Sequence, residues 1–326
     1  MTCSVLPAVW PMASSLIYLL VVTNAVTAIT NTMINFCFIK GIFSKERLIT
    51  PTNLFVVSLA VSDFLVGLIS QPLMCVHLLV NRFTVRSCAL AYSTYFALGI
   101  FCGVSGLCLP VISLDRYIRM KKLQYYTRHV TKRRVVIVIL AIWVNAMVMS
   151  LSPLYGVPRH VFYSVLIAYL CVISIVMSIA YASVIIRSTR SLVKIGPTRT
   201  LQAQTSTSMD STTTKPATTA TASLEDSVPE SVHRIAADTS RQLRITITVA
   251  ILVAVVLLSW IPCFIFALVW SLGIPASDED STIVTLRYLT ITIGFASSSL
   301  NPLLYCWRIR DARKAALDVL RKMLSC

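Results

Sequence analysis

Charge is what this sequence is short of. Only 13% of its 326 residues are Asp, Glu, Lys or Arg, about half the share usual in a soluble domain, and 56% are hydrophobic. Acids are the scarcer sign: 13 Asp and Glu stand against 29 Lys and Arg, a formal +16. In a soluble protein that excess would indicate nucleic acid. Here the charges are gathered between long runs that carry none, among them 87–114, 135–158, 245–277 and 288–307. A bilayer-crossing helix needs about 20 such residues, so this is an integral membrane protein and no nucleic-acid partner is expected. The runs lack the alternation of barrel strands, which leaves helices as the spanning element. Residues 1–15 have no basic segment, so the first apolar block is read as a retained span rather than a cleaved signal. The spans show no internal repeat, against the inverted-repeat transporter designs. No nucleophile–base pair is evident, and the four His have no metal-ligand spacing to Cys, which disfavours an enzyme and a zinc site. There is no Asn-x-Ser/Thr sequon, so N-glycosylation is not expected.

The apolar blocks between charge clusters predict seven helices near 16–39, 52–77, 88–118, 135–155, 161–186, 245–271 and 283–305. The fold class is therefore an all-α membrane protein, a seven-helix bundle. Of the 29 basic residues, 25 fall in the connectors after spans 1, 3 and 5 and in the tail, leaving Arg82, Arg86, Arg159 and Arg287 opposite. Basic connectors stay cytoplasmic, so the N-terminus is outside and the C-terminus inside. The same clusters favour anionic lipid headgroups, at about 1 kcal/mol per residue near the surface. The organisation is a short extracellular N-terminus (1–15), a bundle (16–305), a Ser/Thr-rich third inner loop (196–240) and a C-terminal amphipathic stretch (306–326). The loop reads as disordered, either a passive tether or a kinase target. In the tail Ile309, Ala312, Ala316, Leu320 and Met323 share one face, as in a helix lying in the inner interface.

Ionisable groups inside spans are costly and mark candidate sites. Asp63 lies roughly 16 Å into span 2 at 1.5 Å per residue, with Asn31, Ser105, Ser298 and Asn301 at similar depth. One carboxylate among neutral oxygens suits sodium; a protonated Asp in an inter-helix hydrogen-bond network is the alternative. Asp115-Arg116-Tyr117 ends span 3, where a lone Arg could simply snorkel. Pro262, after Trp260, kinks span 6, and Pro302, after Asn301, breaks span 7 before Tyr305. Gly99 and Gly103 form a small-xxx-small pair for close packing of span 3.

In this order, on these helices, the features resemble class A (rhodopsin-like) G-protein-coupled receptors over the whole chain. The matching residues are Asn31; Asn53-Leu54 and Ser58-Leu59-Ala60-Val61-Ser62-Asp63; Ser105 and Asp115-Arg116-Tyr117; Trp143; Tyr181; Trp260-Ile261-Pro262; and Asn301-Pro302-Leu303-Leu304-Tyr305. The resemblance implies that Asp115 holds Arg116 at rest and that Arg116 faces the G protein once spans 5 and 6 move. Tyr181 and Tyr305 would close around it, and Trp260 would pass ligand contact to Pro262. It also implies a sodium pocket of Asn31, Asp63, Ser105, Ser298 and Asn301; no other cofactor is expected. The implied partners are an extracellular ligand, a heterotrimeric G protein, membrane lipids, arrestin and receptor kinases. The implied location is the plasma membrane, as a multi-pass protein.

The departures narrow the group. Ala91 replaces the family's usual cysteine, and the loop around Tyr155–Phe162 has none, so the usual disulfide cannot form. Cys3 and Cys75 are the remaining partners for Cys88, while the ten cysteines together read as small membrane residues. Ile173 stands for the span 5 proline, Val256 for an aromatic before Trp260, Ser297 for a sodium-pocket amide, and Leu123 for a proline. These features look most like the melanocortin, adenosine, cannabinoid and lysophospholipid group. By position the ligand pocket is lined by Tyr95, Leu98, Cys102, Trp260, Phe264, Ile291 and Phe295, apolar and suited to a lipid-like or weakly polar ligand. Leu98 at the amine counter-ion position disfavours a biogenic amine, and Phe295 at the retinal-lysine position disfavours an opsin. Cys326 is a lipidation candidate. A receptor-like protein that binds without coupling, and a small-molecule transporter or channel, are the alternatives.

Overall fold

The computed structural model describes residues 12–83, 87–155, 281–302 and 310–325 continuously, with Cys306 and scattered positions within 157–186 and 258–272. Every regular element among the described residues is helical. Five of the helices are long and apolar enough to cross a membrane. They correspond to predicted spans 1, 2, 3, 4 and 7, with ends displaced by a few residues. Spans 5 and 6 fall on the scattered positions; the third inner loop, 196–240, lies outside the described residues, as does the N-terminal segment up to residue 11.

Helix α1 (Ser14–Phe43) is apolar around most of its circumference, but a stripe of Asn24, Ala28, Asn31 and Asn35 is buried against its neighbours. The next rod is built from α2 (Pro51–Leu65), a π-helical turn (Val66–Ser70) and α3 (Gln71–Phe83). It opens on Thr50, whose hydroxyl accepts from the Asn53 N–H at 3.3 Å, with Pro51 at the position where a missing N–H costs nothing. Pro72 cannot donate to the carbonyl four residues earlier, and the wide turn immediately before it absorbs the mismatch. Gly67 within that turn lets α1 approach so closely that a Cβ there would lie 2.6 Å from the Thr32 hydroxyl and 2.8 Å from the Ala28 carbonyl.

Helix α4 (Cys88–Lys121) is the longest at 34 residues and packs against the α2–α3 rod and against α6 (Lys132–Leu151). Its expected small pair works toward α6: a Cβ on Gly99 would be 2.5 Å from the Ser150 hydroxyl, and Gly103 lies against Ala146. Ser87 caps α4, and Thr131 caps α6. Between them the short α5 (Leu123–His129) fills the connector. Helix α7 (Ser281–Ser297) continues as a helical stretch to Pro302.

The amphipathic C-terminal helix, α8 (Arg310–Leu324), forms as expected, but its packed face differs from the predicted stripe. It buries Ala312, Ala315, Ala316 and Val319, and leaves Leu320 and Met323 exposed. The cause is backbone contact with α1 at Gly41, where a Cβ would be 2.8 Å from the Ala316 nitrogen. Small residues therefore make the interface and the large ones face outward. A Lys45–Asp318 pair at 3.8 Å is solvent-exposed and adds little.

Two large apolar cores result among the described residues. One, near α8, gathers Phe38, Phe55, Leu59, Val104, Cys108, Ile112 and Ala315. The other, toward the opposite end, gathers Ile17, Leu20, Val66, Met74, Leu78, Tyr288 and Phe295. Outward-facing Leu19, Val22, Ile29, Ile137, Leu140, Val144 and Val148 are exposed, as expected of surfaces solvated by lipid.

Candidate functional site

Between the two cores lies a layer of buried polar groups centred on Asp63. The carboxylate is fully buried. The Ser105 hydroxyl of α4 donates to Oδ1 at 3.1 Å, and the Asn301 amide donates to Oδ2 at 2.6 Å. Ser298 faces the same carboxylate. No Lys, Arg or His is ion-paired with Asp63 among the described residues. Asn31 lies on the buried α1 stripe and accepts from Asn35 Nδ2 at 3.0 Å, while its own Nδ2 and the Asn301 Oδ1 have no partner among the described residues. The site thus supplies one carboxylate, hydroxyls and the free Asn301 Oδ1, with no protein cation among the described residues, oxygen ligands that match a small hard monovalent ion; the free Asn31 Nδ2 is an N–H donor and cannot ligate it.

At the end of α4, Asp115 and Arg116 are both buried. Asp115 is held by two hydroxyls: Thr52 donates to Oδ2 and Tyr126 to Oδ1, each at 2.8 Å. Thr52 and Tyr126 also lie 2.9 Å apart, so two hydroxyl protons serve three contacts. This triangle ties α5 to the start of α2 and the end of α4. The Arg119 guanidinium lies 5.7 Å over the Tyr126 ring. Burial, with the Asp115 charge as a smaller cause, pushes the Tyr126 hydroxyl above its ordinary value of 10. Tyr117 accepts from Lys121 Nζ at 2.7 Å.

Thr52 and Tyr126 were not singled out as site residues in the sequence. Tyr126 stands in the Tyr126-Thr127-Arg128 run, eleven residues past Asp115; Thr52 follows the helix-starting Pro51. Trp143 and Ser58, both among the residues that carry the resemblance, are joined: the Trp143 indole donates to Ser58 at 3.2 Å and so ties α6 to α2.

Of the predicted pocket residues, Ile291 and Phe295 are buried in the second core, with Leu98 and Cys102 packed against it. Tyr95, one turn before Leu98 on α4, has its ring edge-on to Phe162 at 6.3 Å. Pro262 is helical and half-buried, and Pro302 is buried. Tyr181, Trp260, Phe264, Tyr305 and Cys326 lie outside the described residues. Cys75 and Cys88 are free thiols, so they are not joined to each other.

Long apolar helices packed around a buried carboxylate define a multi-pass helical membrane protein. Residues 34–305 match the family described as 7 transmembrane receptor (rhodopsin family). The serotonin (5-hydroxytryptamine) receptor 1B of Oryctolagus cuniculus is 24% identical over 342 residues, covering 93% of this chain and 86% of that one. The human 5-hydroxytryptamine receptor 1E is also 24% identical, covering 93% and 92%. Melanopsin of Branchiostoma belcheri is 36% identical over a shorter stretch, 40% of this chain and 18% of the relative. The chain belongs to the rhodopsin family of seven-transmembrane receptors: it is a G-protein-coupled receptor and not an enzyme.

Proposed function

We propose that the chain crosses the plasma membrane seven times, N-terminus outside, and converts binding of a weakly polar extracellular ligand into nucleotide exchange on a heterotrimeric G protein. The orientation is supported by the gathering of 25 of 29 basic residues on one side. The observation that carries the switching part is Asp63: a fully buried carboxylate without a cationic partner among the described residues, bonded by α4 and by Asn301 beyond α7. Asp63 and Ser105, with Asn31, Ser298 and Asn301, would hold a sodium ion that neutralises this charge and favours the packing in which these helices meet. An ion shifts the equilibrium only by its difference in affinity for the two packings.

At the other end Asp115, Arg116 and Tyr117 form the coupling surface, with Tyr181, Trp260, Pro262, Pro302 and Tyr305 as relay positions. In this reading the Thr52–Asp115–Tyr126 triangle fixes the resting position of the α4 end. Arrestin and receptor kinases would act from the same side, the kinases on the Ser/Thr-rich loop.

The ligand class is read from the second core, where Leu98, Cys102, Ile291 and Phe295 contribute no charge. The serotonin receptors are named for an amine, but Leu98 occupies the amine counter-ion position here; Phe295 occupies that of the retinal lysine. A place near the melanocortin, adenosine, cannabinoid and lysophospholipid receptors rests on the short second loop, Ala91, Leu123 and Ile173 alone.

The test is agonist affinity, across a panel of lipids, nucleosides and peptides, measured with sodium or with a large organic cation. Sodium should weaken agonist binding to the wild type and have no effect on Asp63→Asn. A sodium effect that survives in Asp63→Asn removes the ion from Asp63.

A further inference from the structure

Outward of Asp63 along the α2–α3 rod, a second group of buried polar side chains takes no part in the arrangement above. Asn24, Ser70 and Gln71 have no measurable exposure. The Asn24 amide spends both N–H groups, one on the Leu20 carbonyl at 2.8 Å and one on the Thr292 hydroxyl of α7 at 2.9 Å. Gln71 donates to the Thr27 hydroxyl at 2.7 Å. Thr27 has already turned its own proton to the α1 backbone, at the Thr23 and Asn24 carbonyls. That leaves Asn24 Oδ1, Gln71 Oε1 and Ser70 Oγ without a partner among the described residues.

The three residues lie at one depth in the bundle. Gln71 bonds Thr27, Thr27 bonds the backbone carbonyl of Asn24, Ser70 directly precedes Gln71, and Gly67 one turn inward lies against Ala28. Ser70 and Gln71 are seven and eight residues beyond Asp63, roughly 10–12 Å along the rod, so this is a separate place from the carboxylate layer.

An unpaired buried acceptor is costly, and in lipid no solvent outside the bundle can relieve it. Three of them call for an occupant that donates hydrogen bonds. A cation is the poorer candidate, because these oxygens are all neutral and cannot offset its desolvation as the carboxylate of Asp63 can. Water fits the chemistry: an internal water typically makes about three hydrogen bonds to otherwise unsatisfied polar groups. Two molecules carry four donors, enough for the three acceptors and one bond between themselves.

We propose that Asn24, Ser70 and Gln71 form an internal water site that joins α1 to the α3 end of the second rod and, through Asn24 and Thr292, to α7. The water holds the outer part of that rod beyond its π turn, where Pro72 interrupts the backbone ladder. The site is independent of the sodium reading, and the two are tested apart.

Two measurements on the full-length receptor in detergent or nanodiscs decide the matter. Ser70→Ala removes one hydroxyl and little volume. A hydrated site loses one of its partners, so the melting temperature falls by several degrees; a dry site loses an orphan and the melting temperature stays or rises. The second measurement is radiolytic hydroxyl labelling in oxygen-18 water, read at Met74. Met74 is 1% exposed and one turn from Ser70, and its thioether reacts readily with radicals formed from neighbouring water. Met74 is expected to be oxidised, with slow incorporation of the heavy isotope, equally in sodium and in a large organic cation, in wild type and in Asp63→Asn. A stable or stabilised Ser70→Ala, an unlabelled Met74, or labelling that sodium abolishes would each overturn the proposal, the last by making the occupant a cation.

Discussion

Replacing Tyr126 with Phe removes a single oxygen from the triangle that holds Asp115. The hydroxyl donates to Asp115 Oδ1 at 2.8 Å and touches the Thr52 hydroxyl at 2.9 Å, in a place where both Tyr126 and Asp115 are only 6% exposed. A hydrogen bond to a charged group contributes about 1.5–3 kcal/mol, and little water is available to replace this one. Tyr126→Phe is therefore expected to cost about 2 kcal/mol. Thr52→Val, which removes the other donor at 2.8 Å, should cost a similar amount. The two hydroxyls share one carboxylate and each other, so their effects should not add: a double-mutant cycle on the purified receptor should show a coupling of at least about 0.5 kcal/mol. The pH dependence follows from the raised Tyr126 hydroxyl. An acid whose folded value lies above its ordinary 10 stabilises the fold fully below that pH and loses the contribution as pH climbs through the raised value. The penalty of Tyr126→Phe should then be the same at pH 7 as at pH 9. Unchanged melting in both single variants, or strict additivity, would refute the triangle.

Close helix contacts give two further expectations. Gly67→Ala places a methyl within 2.9 Å of backbone atoms of Ala28 and Thr32 and should destabilise by about 1–3 kcal/mol, whereas Gly106→Ala, which meets nothing within 4 Å, should melt unchanged or slightly higher; equal melting of the two would argue against the α1 contact. Gly41→Val should lift α8 from α1, because the added carbons meet the backbone of Ala315 and Ala316, and tryptic cleavage at the basic residues of α8 should accelerate; an unchanged cleavage rate would contradict that packing.

The spans were legible because lipid imposes a composition. Charge-free runs, proline positions and the placement of basic residues place α1, the α2–α3 rod, α4, α6 and α7 to within a few residues. Ser105 and Asn301 were legible as companions of Asp63 from their matching depth in the spans and from the resemblance, although residues 42 and 238 positions apart leave no periodic trace of their contact. The Thr52–Asp115–Tyr126 triangle was not legible, because Tyr126 sits on a connector whose helix, α5, has only 7 residues and carries no span-like pattern. The packed face of α8 was read in part, since Ala312 and Ala316 of the predicted stripe are buried while Leu320 and Met323 are exposed. Hydropathy picks out large residues such as Leu320 and Met323, whereas the contact with α1 is made by alanines against Gly41, where backbone proximity decides the face. The π turn before Pro72 was likewise hidden, since a proline announces a fault in the ladder but not how the chain absorbs it.

The most direct test of the account is guanine-nucleotide exchange on a purified heterotrimeric G protein. It would be driven by the receptor in reconstituted membranes with whichever panel compound activates the wild type. Arg116→Ala should reach the membrane, bind that compound and fail to accelerate exchange. Exchange at the wild-type rate from Arg116→Ala would contradict the assignment of this end of α4 as the coupling surface.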